Sequence, residues 1–268
     1  MAFKLDDIVI DRIQMAVAEK SNGTLLYTLT QLSEATIETT AESKEARDAN
    51  GSLIKTFYQG KAGTFTATNA MLNLNVLAAS TGTDKEVAGV GTEIQMPKII
   101  VVKKDVATVD LLADGESMVN GTIRVNALGN NGAMGQAYTE ALDSANPTST
   151  EWVYNSSTGI LTMPTDSSAD RFVVKYERKS PNAVKITNSA DKFPSTVKLT
   201  LKALAIDPCA PDTVRACYII IPSFQVSPEV SITVNTEGTL DYTGSMQVSY
   251  CSADKELYTI VMCSDDTE

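Results

Sequence analysis

Cys209, Cys217, Cys251 and Cys263 are the softest nucleophiles and metal ligands the chain carries. Their spacings of 8, 34 and 12 fit neither a zinc ribbon nor a Cys-x-x-Cys redox pair. Histidine is absent, and with it the commonest general base at neutral pH and the commonest metal ligand. Ser-His-Asp, Cys-His and histidine-rich zinc chemistry are therefore excluded together. No Gly-x-Gly-x-x-Gly run, phosphate-loop lysine signature or EF-hand loop occurs either. The expectation is four free thiols in a protein folded in a reducing cytoplasm, with no catalytic constellation, no metal and no cofactor.

The carboxylates are more organised. Glu34, Glu38, Glu42 and Glu45 stand at i, i+4, i+8 and i+11, a spacing that would line one side of a helix. Thr36, Ile37, Thr39 and Thr40 sit among them, and β-branched residues favour strand. The reading is a strand to about Thr40, continuing as an extended, irregular or briefly helical segment to Asp48-Ala49-Asn50-Gly51-Ser52. There Asn-Gly supplies the two positive-φ residues of a tight two-residue turn. On the return arm, Gly63-Thr64-Phe65-Thr66-Ala67-Thr68 alternates threonine with Phe65 and Ala67, the period of a strand with one face wet and one packed. Beyond it Asn69 is placed to cap a helix with Ala70, Met71, Leu74, Leu77 and Ala78 at helical spacing, although Leu72 to Val76 also alternate as a strand would. A hairpin this long cannot bury both faces within one small domain, so its outer portion should seek neighbours.

The rest of the chain must position that hairpin. Its 268 residues are rich in Thr, Ser, Ala and Val, with 15 Gly and 9 Pro, and long helical periodicities are scarce; the fold class expected is mainly β. Residues 1–102 and 181–268 read as two parts of one core, with longer strands such as Val197–Leu204, whose Val197, Leu199, Leu201 and Ala203 share a face. Tyr218–Ile221 reads as a buried strand ended by Pro222, and Ser231–Val234, Ser245–Tyr250 and Leu257–Met262 as three more. Between the two parts, residues 103–180 carry closely spaced turn signals, among them Asn120-Gly121, Asn130-Asn131-Gly132 and Ser157-Thr158-Gly159. This texture predicts an inserted Ig-like β-sandwich with Trp152, the only tryptophan, as its core aromatic or, alternatively, as a sugar platform. Pro97 places the run Thr92–Val102 at a sheet edge or a bend. The net charge of −11 is spread along the chain, which leaves no basic footprint for nucleic acid. Charges interrupt the first residues, so neither a signal peptide nor a membrane span is expected there.

Three stretches together resemble the tail-tube (major tail) proteins of tailed bacteriophages, particularly those with an Ig-like insertion. The first is Asp48-Ala49-Asn50-Gly51 with Lys61 to Thr66 and Asn69-Ala70. The second is Val184 to Pro194, leading into Val197 to Leu201 and Asp207-Pro208-Cys209. The third is Tyr218 to Pro228, continuing to Leu257-Tyr258. The resemblance implies a β-sandwich or barrel flanked by a helix, six copies closing into a ring, and rings stacking into a hollow tube that conducts DNA without binding it specifically. It implies a virion protein assembled in the host cytoplasm, whose partners are its own copies and other tail proteins (sheath or terminator, baseplate), with no membrane. Asp48, Ala49, Asn50, Gly51 and Ser52 would then tip an inter-subunit hairpin, and Glu38, Glu42 and Glu45 are candidate lumen acids. The alternatives from the same residues are a capsid decoration or other head-associated protein, and a surface-binding Ig-like module.

Overall fold

A computed structural model describes residues 7–30, 32–112, 115–141, 146–208, 210–231, 240–248 and 255–267. In chain order the elements are β1 (Val9–Glu19), β2 (Leu25–Leu29), β3 (Leu32–Arg47), β4 (Leu53–Asn69) and α1 (Leu74–Ser80). Then come β5 (Glu86–Val87), β6 (Ile94–Lys103), β7 (Thr108–Asp110), β8 (Ser117–Met118), β9 (Arg124–Leu128), β10 (Met134–Glu140), β11 (Glu151–Asn155), β12 (Ile160–Thr162), β13 (Arg171–Ser180) and β14 (Val184–Lys185). Four long strands close the chain, β15 (Val197–Asp207), β16 (Ala210–Val226), β17 (Leu240–Met246) and β18 (Thr259–Thr267). The fold is mainly β, as the composition predicts.

Two compact units share these elements. One consists of Met1–Lys85 with Ile186–Glu268, and the other of Glu86–Lys185. The boundary read from turn density at residue 103 falls at the last residue of β6. That strand, however, is zipped to β13 along its full length, from Ile94↔Ser180 to Lys103↔Arg171, which is why the second unit starts before it.

In the first unit eight strands form one sheet in the order β2-β1-β15-β16-β17-β4-β3, with β18 added beside β16. Alternation fixes its inner face: Val197, Leu199, Leu201 and Ala203 of β15 are all buried, as are Leu240, Tyr242 and Met246 of β17. Pro222 does not end its strand. It sits within β16 at a bulge, between the stretch paired to β18 and the stretch paired to β17, where a missing N–H breaks no ladder bond. The helix start also moves. Asn69 remains the last residue of β4, opposite Leu240, and Asn73 is the cap, its Oδ1 accepting from the N–H groups of Asn75 (3.0 Å) and Val76 (3.2 Å).

In the second unit the order is β6-β13-β9-β10-β11-β12-β7, with β8 beside β13. Pro97 lies on β6, an edge strand, as its missing donor requires. Trp152 is buried, its Nε1 donating to the carbonyl of Tyr138 at 3.2 Å, so it is a core residue and presents no face to a sugar. Of the other expectations, Cys209, Cys251, residues 232–234 and residues 249–250 lie outside the described residues, as does the side chain of Cys263.

Candidate functional site

The hairpin of β3 and β4 is rooted at one end and open at the other. At the root, Phe65 is fully buried and meets Tyr242 edge-on at 5.9 Å and Phe224 at 6.2 Å; Tyr27 joins through Tyr242 at 6.1 Å. The hydroxyls of Tyr27 and Tyr242 share a buried hydrogen bond of 2.8 Å. Burial pushes the Tyr27 hydroxyl up to about 12, and desolvation raises that of Tyr242 as well, so both are neutral anchors and neither is a proton carrier near pH 7. Gly244 lets the strands close on this cluster, since a Cβ there would stand 2.2 Å from the Phe224 ring and 2.5 Å from the carbonyl of Gln225.

From Gly63 to Asn69, β4 has β3 on one side and β17 on the other. Past Gly63 the third strand ends. Among the described residues, Leu53 to Ala62 pair only with β3, in register from Thr40↔Ala62 to Arg47↔Leu53. The strand expected to stop near Thr40 therefore runs on, because the return arm stays paired across the ribbon to Leu53, with bulges only at Gly60 and Ile54. Each strand spans roughly 50 Å at about 3.4 Å per residue, and among the described residues the outer half is a two-stranded ribbon with no further strand paired to either edge. Ribbons of that kind are marginal in water by themselves.

The tip departs from the two-residue turn that Asn-Gly predicts. Asp48 donates its N–H to the carbonyl of Ser52 (2.9 Å) and accepts from Gly51 (3.0 Å), which leaves a three-residue loop of Ala49, Asn50 and Gly51. Only Gly51 has positive φ, +85°. This is a type I turn closed by a left-handed glycine. The reason lies in Asp48, whose Oδ1 accepts the amides of both Asn50 (2.9 Å) and Ser52 (2.7 Å) and so satisfies the wider loop. Arg47 adds a clamp, donating to the carbonyl of Gly51 (2.9 Å) and to Glu45 Oε2 (2.6 Å).

The predicted carboxylates separate accordingly. Glu38 and Glu42 share one face of β3 by its two-residue period; Glu45 points to the other and is held by Arg47. On the root of the sheet, the wet face reads Asp241–Thr68–Ser33, Thr243–Thr66–Thr36 and Ser245–Thr64–Glu38 across β17, β4 and β3, rows of hydroxyls with two carboxylates and no cation. Four residues escaped the sequence reading altogether: Leu53 and Phe57 are half exposed, Ile54 and Tyr58 are 68% and 75% exposed, and they occupy both faces of the outer ribbon. Their signal was an apolar run in both phases of the alternation, Leu53-Ile54 and Phe57-Tyr58, where a ribbon wet on both sides needs none.

A model of the YomU/Tube protein family matches residues 7–256. The chain belongs to that family. Membership points to a tube structural protein. No curated protein matches the chain. Among solved structures, the "Crystal structure of group B streptococcus pilus 2b backbone protein" aligns over 86% of this chain and 91% of that one at 9% identity, with a TM-score of 0.21, too low to carry an argument. Among the described residues no helix is long and apolar enough to cross a membrane, and no group of three or more metal-ligating side chains occurs. The thiol of Cys217 is buried and pushed up by desolvation, which disfavours the reactive thiolate.

Proposed function

We propose that the protein polymerises into stacked rings, six copies to a ring, forming the tail tube of a bacteriophage and conducting DNA during ejection. The observation that carries this reading is the outer ribbon: two open strand edges and exposed Leu53, Ile54, Phe57 and Tyr58, a surface that copies of the chain would cover for one another. One contact that closes by rotation makes a ring, and a second that does not close makes a filament. Family membership supports a tube as the product.

In this reading the turn Asp48–Ser52 is the leading end of an inter-subunit hairpin. The hydroxyl-rich face of β17, β4 and β3 lines the channel, with Glu38, Glu42 and Asp241 as its acids, while Glu45 is taken up by Arg47. The root rows through Asp241, Thr243 and Ser245 carry carboxylates and no cation, and like charge there keeps a polyanion moving. The second unit is an Ig-like appendage, a reading supported by the burial of Trp152 beside Tyr138 and Phe172. Sheath or terminator and baseplate proteins complete the assembly, which forms in the host cytoplasm and ends in the virion.

Negative-stain imaging of the purified protein tests the proposal. Rings or hollow tubes are expected, and a protein that stays monomeric at every concentration and salt condition would overturn it.

A further inference from the structure

The first unit also carries an apolar groove. It lies between β1 and β3, two strands that are not paired to each other, and has a volume of about 470 Å³. Phe65 and Ile219 form its buried floor, Ile13, Leu32 and Ile37 its half-buried walls, and Ile10, 44% exposed, its lip. Its rim is charged: Asp11, paired with Arg12 at 3.6 Å, on one side and Glu34 on the other. Glu34 stands in the left-handed region, φ +51°, at a register shift in β3 between Ser33 and Thr36. A glutamate in that region is strained, and such strain persists where surrounding structure or function requires it.

Elsewhere on the same chain lies an aromatic side chain flanked by charges opposite to those of Asp11 and Glu34. On the outer ribbon Phe57 projects between two cations: Lys44 is its cross-strand partner, and Lys55 Nζ lies 5.1 Å from its ring centroid on the same face. We infer that the groove between β1 and β3 is the receptor for this ribbon from a second copy. Phe57 enters over Ile13, Ile37 and Phe65, and Lys44 and Lys55 come to rest on Glu34 and Asp11. The inference rests on the polymer reading and adds to it the address at which the hairpin lands. Apolar content in the centre with opposite charges at the rim is the usual anatomy of a protein interface, and the cationic flanks set the register of docking more than its strength.

Disulfide trapping in the full chain tests it. An Ile10→Cys/Phe57→Cys double variant, oxidised with copper phenanthroline after assembly, should give a reducible ladder of dimers, trimers and higher species that neither single variant gives. In parallel, Ile10→Asp, a change at an exposed lip, should lower the yield of tubes at least tenfold while leaving the monomer's melting temperature unchanged. Wild-type tubes accompanied by no ladder above the single-variant background, and by wild-type assembly of Ile10→Asp, would overturn the groove assignment and leave the polymer intact. A wild-type protein that never assembles would overturn both.

Discussion

Two hairpins in the first unit are built on the same turn and meet opposite ends. In the β1–β2 hairpin, Lys20 donates to the carbonyl of Thr24 and accepts from Gly23, both at 2.9 Å, and Gly23 alone has positive φ. The β3–β4 tip repeats that pattern at Asp48, Ser52 and Gly51. Yet β1 has β15 alongside from Val9 to Glu19 and sends Ala16 and Ala18 into the core, opposite Leu29 and Tyr27. In contrast β4 loses its third strand at Gly63 and leaves Phe57 and Tyr58 in water. The turn decides that a hairpin forms; whether a further strand flanks it decides if the hairpin serves its own core or another molecule.

The sharpest way to break the contrast is to remove the anchor at the root. Phe65→Ala deletes a fully buried ring from a four-aromatic cluster, and large-to-small changes of this type cost about 3–5 kcal/mol. Urea unfolding should show that loss in the midpoint, with assembly lost as well because the ribbon no longer has a fixed base.

A smaller effect comes from the hydroxyl pair that ties the β1–β2 hairpin to β17. Neutral Tyr27 is favoured in the fold, with its pKa raised from 10.0 to about 12 by burial. Between those values the unfolded chain has released a proton that the folded chain keeps, so stability falls as pH rises from about 10 to about 12. Tyr27→Phe should flatten this decline. It should also cost about 1–3 kcal/mol at neutral pH, since Tyr242 Oη is then left without its buried partner. A pH series of thermal melts checks both; an alkaline slope equal to that of wild type would show that Tyr27 is not its source.

Smaller still is the tip itself. Asp48→Ala removes two hydrogen bonds to backbone amides, each with a net contribution of about 1 kcal/mol, at a site exposed to water. The expected loss is local: faster hydrogen exchange at the amides of Asn50 and Ser52, with little change in global unfolding.

Much of this was legible in the alternation of apolar and polar residues. Val197–Ala203 and Gly63–Thr68 declared their buried faces because one side chain in two meets the core, a pattern that survives any uncertainty about neighbours. Cap and turn identities were harder to read, because several polar residues compete for one role. Asn69 and Asn73 both suit a helix start, and the pairing of Asn69 with Leu240 settled the matter from across the sheet. Asn-Gly occurs four times, and at Asn22-Gly23, Asn50-Gly51 and Asn131-Gly132 the residue two before the asparagine closes a three-residue loop. The extra residue is invisible in the dipeptide because it depends on which amides the flanking strands leave to satisfy. The outer ribbon was hardest of all. Its apolar residues are exposed in both phases, and no periodicity within one chain reports a partner that belongs to another.

That ribbon supplies the smallest effect on the monomer and the most informative one. Phe57→Ala removes a ring that is half exposed and contacts Lys55 from the outside, so the stability of the isolated chain should change by no more than about 0.5 kcal/mol. Phe65→Ala, eight residues along the same strand, should differ from it by several kcal/mol. Tube formation should reverse the usual ranking of effects: Phe57→Ala should raise the concentration needed to polymerise although it leaves the fold intact. Thermal melts of the monomer beside sedimentation of polymer, on the same preparation, separate the two quantities. If Phe57→Ala lost monomer stability as Phe65→Ala does, the outer ribbon would belong to the chain's own core, and the difference between the two hairpins would reduce to one of length.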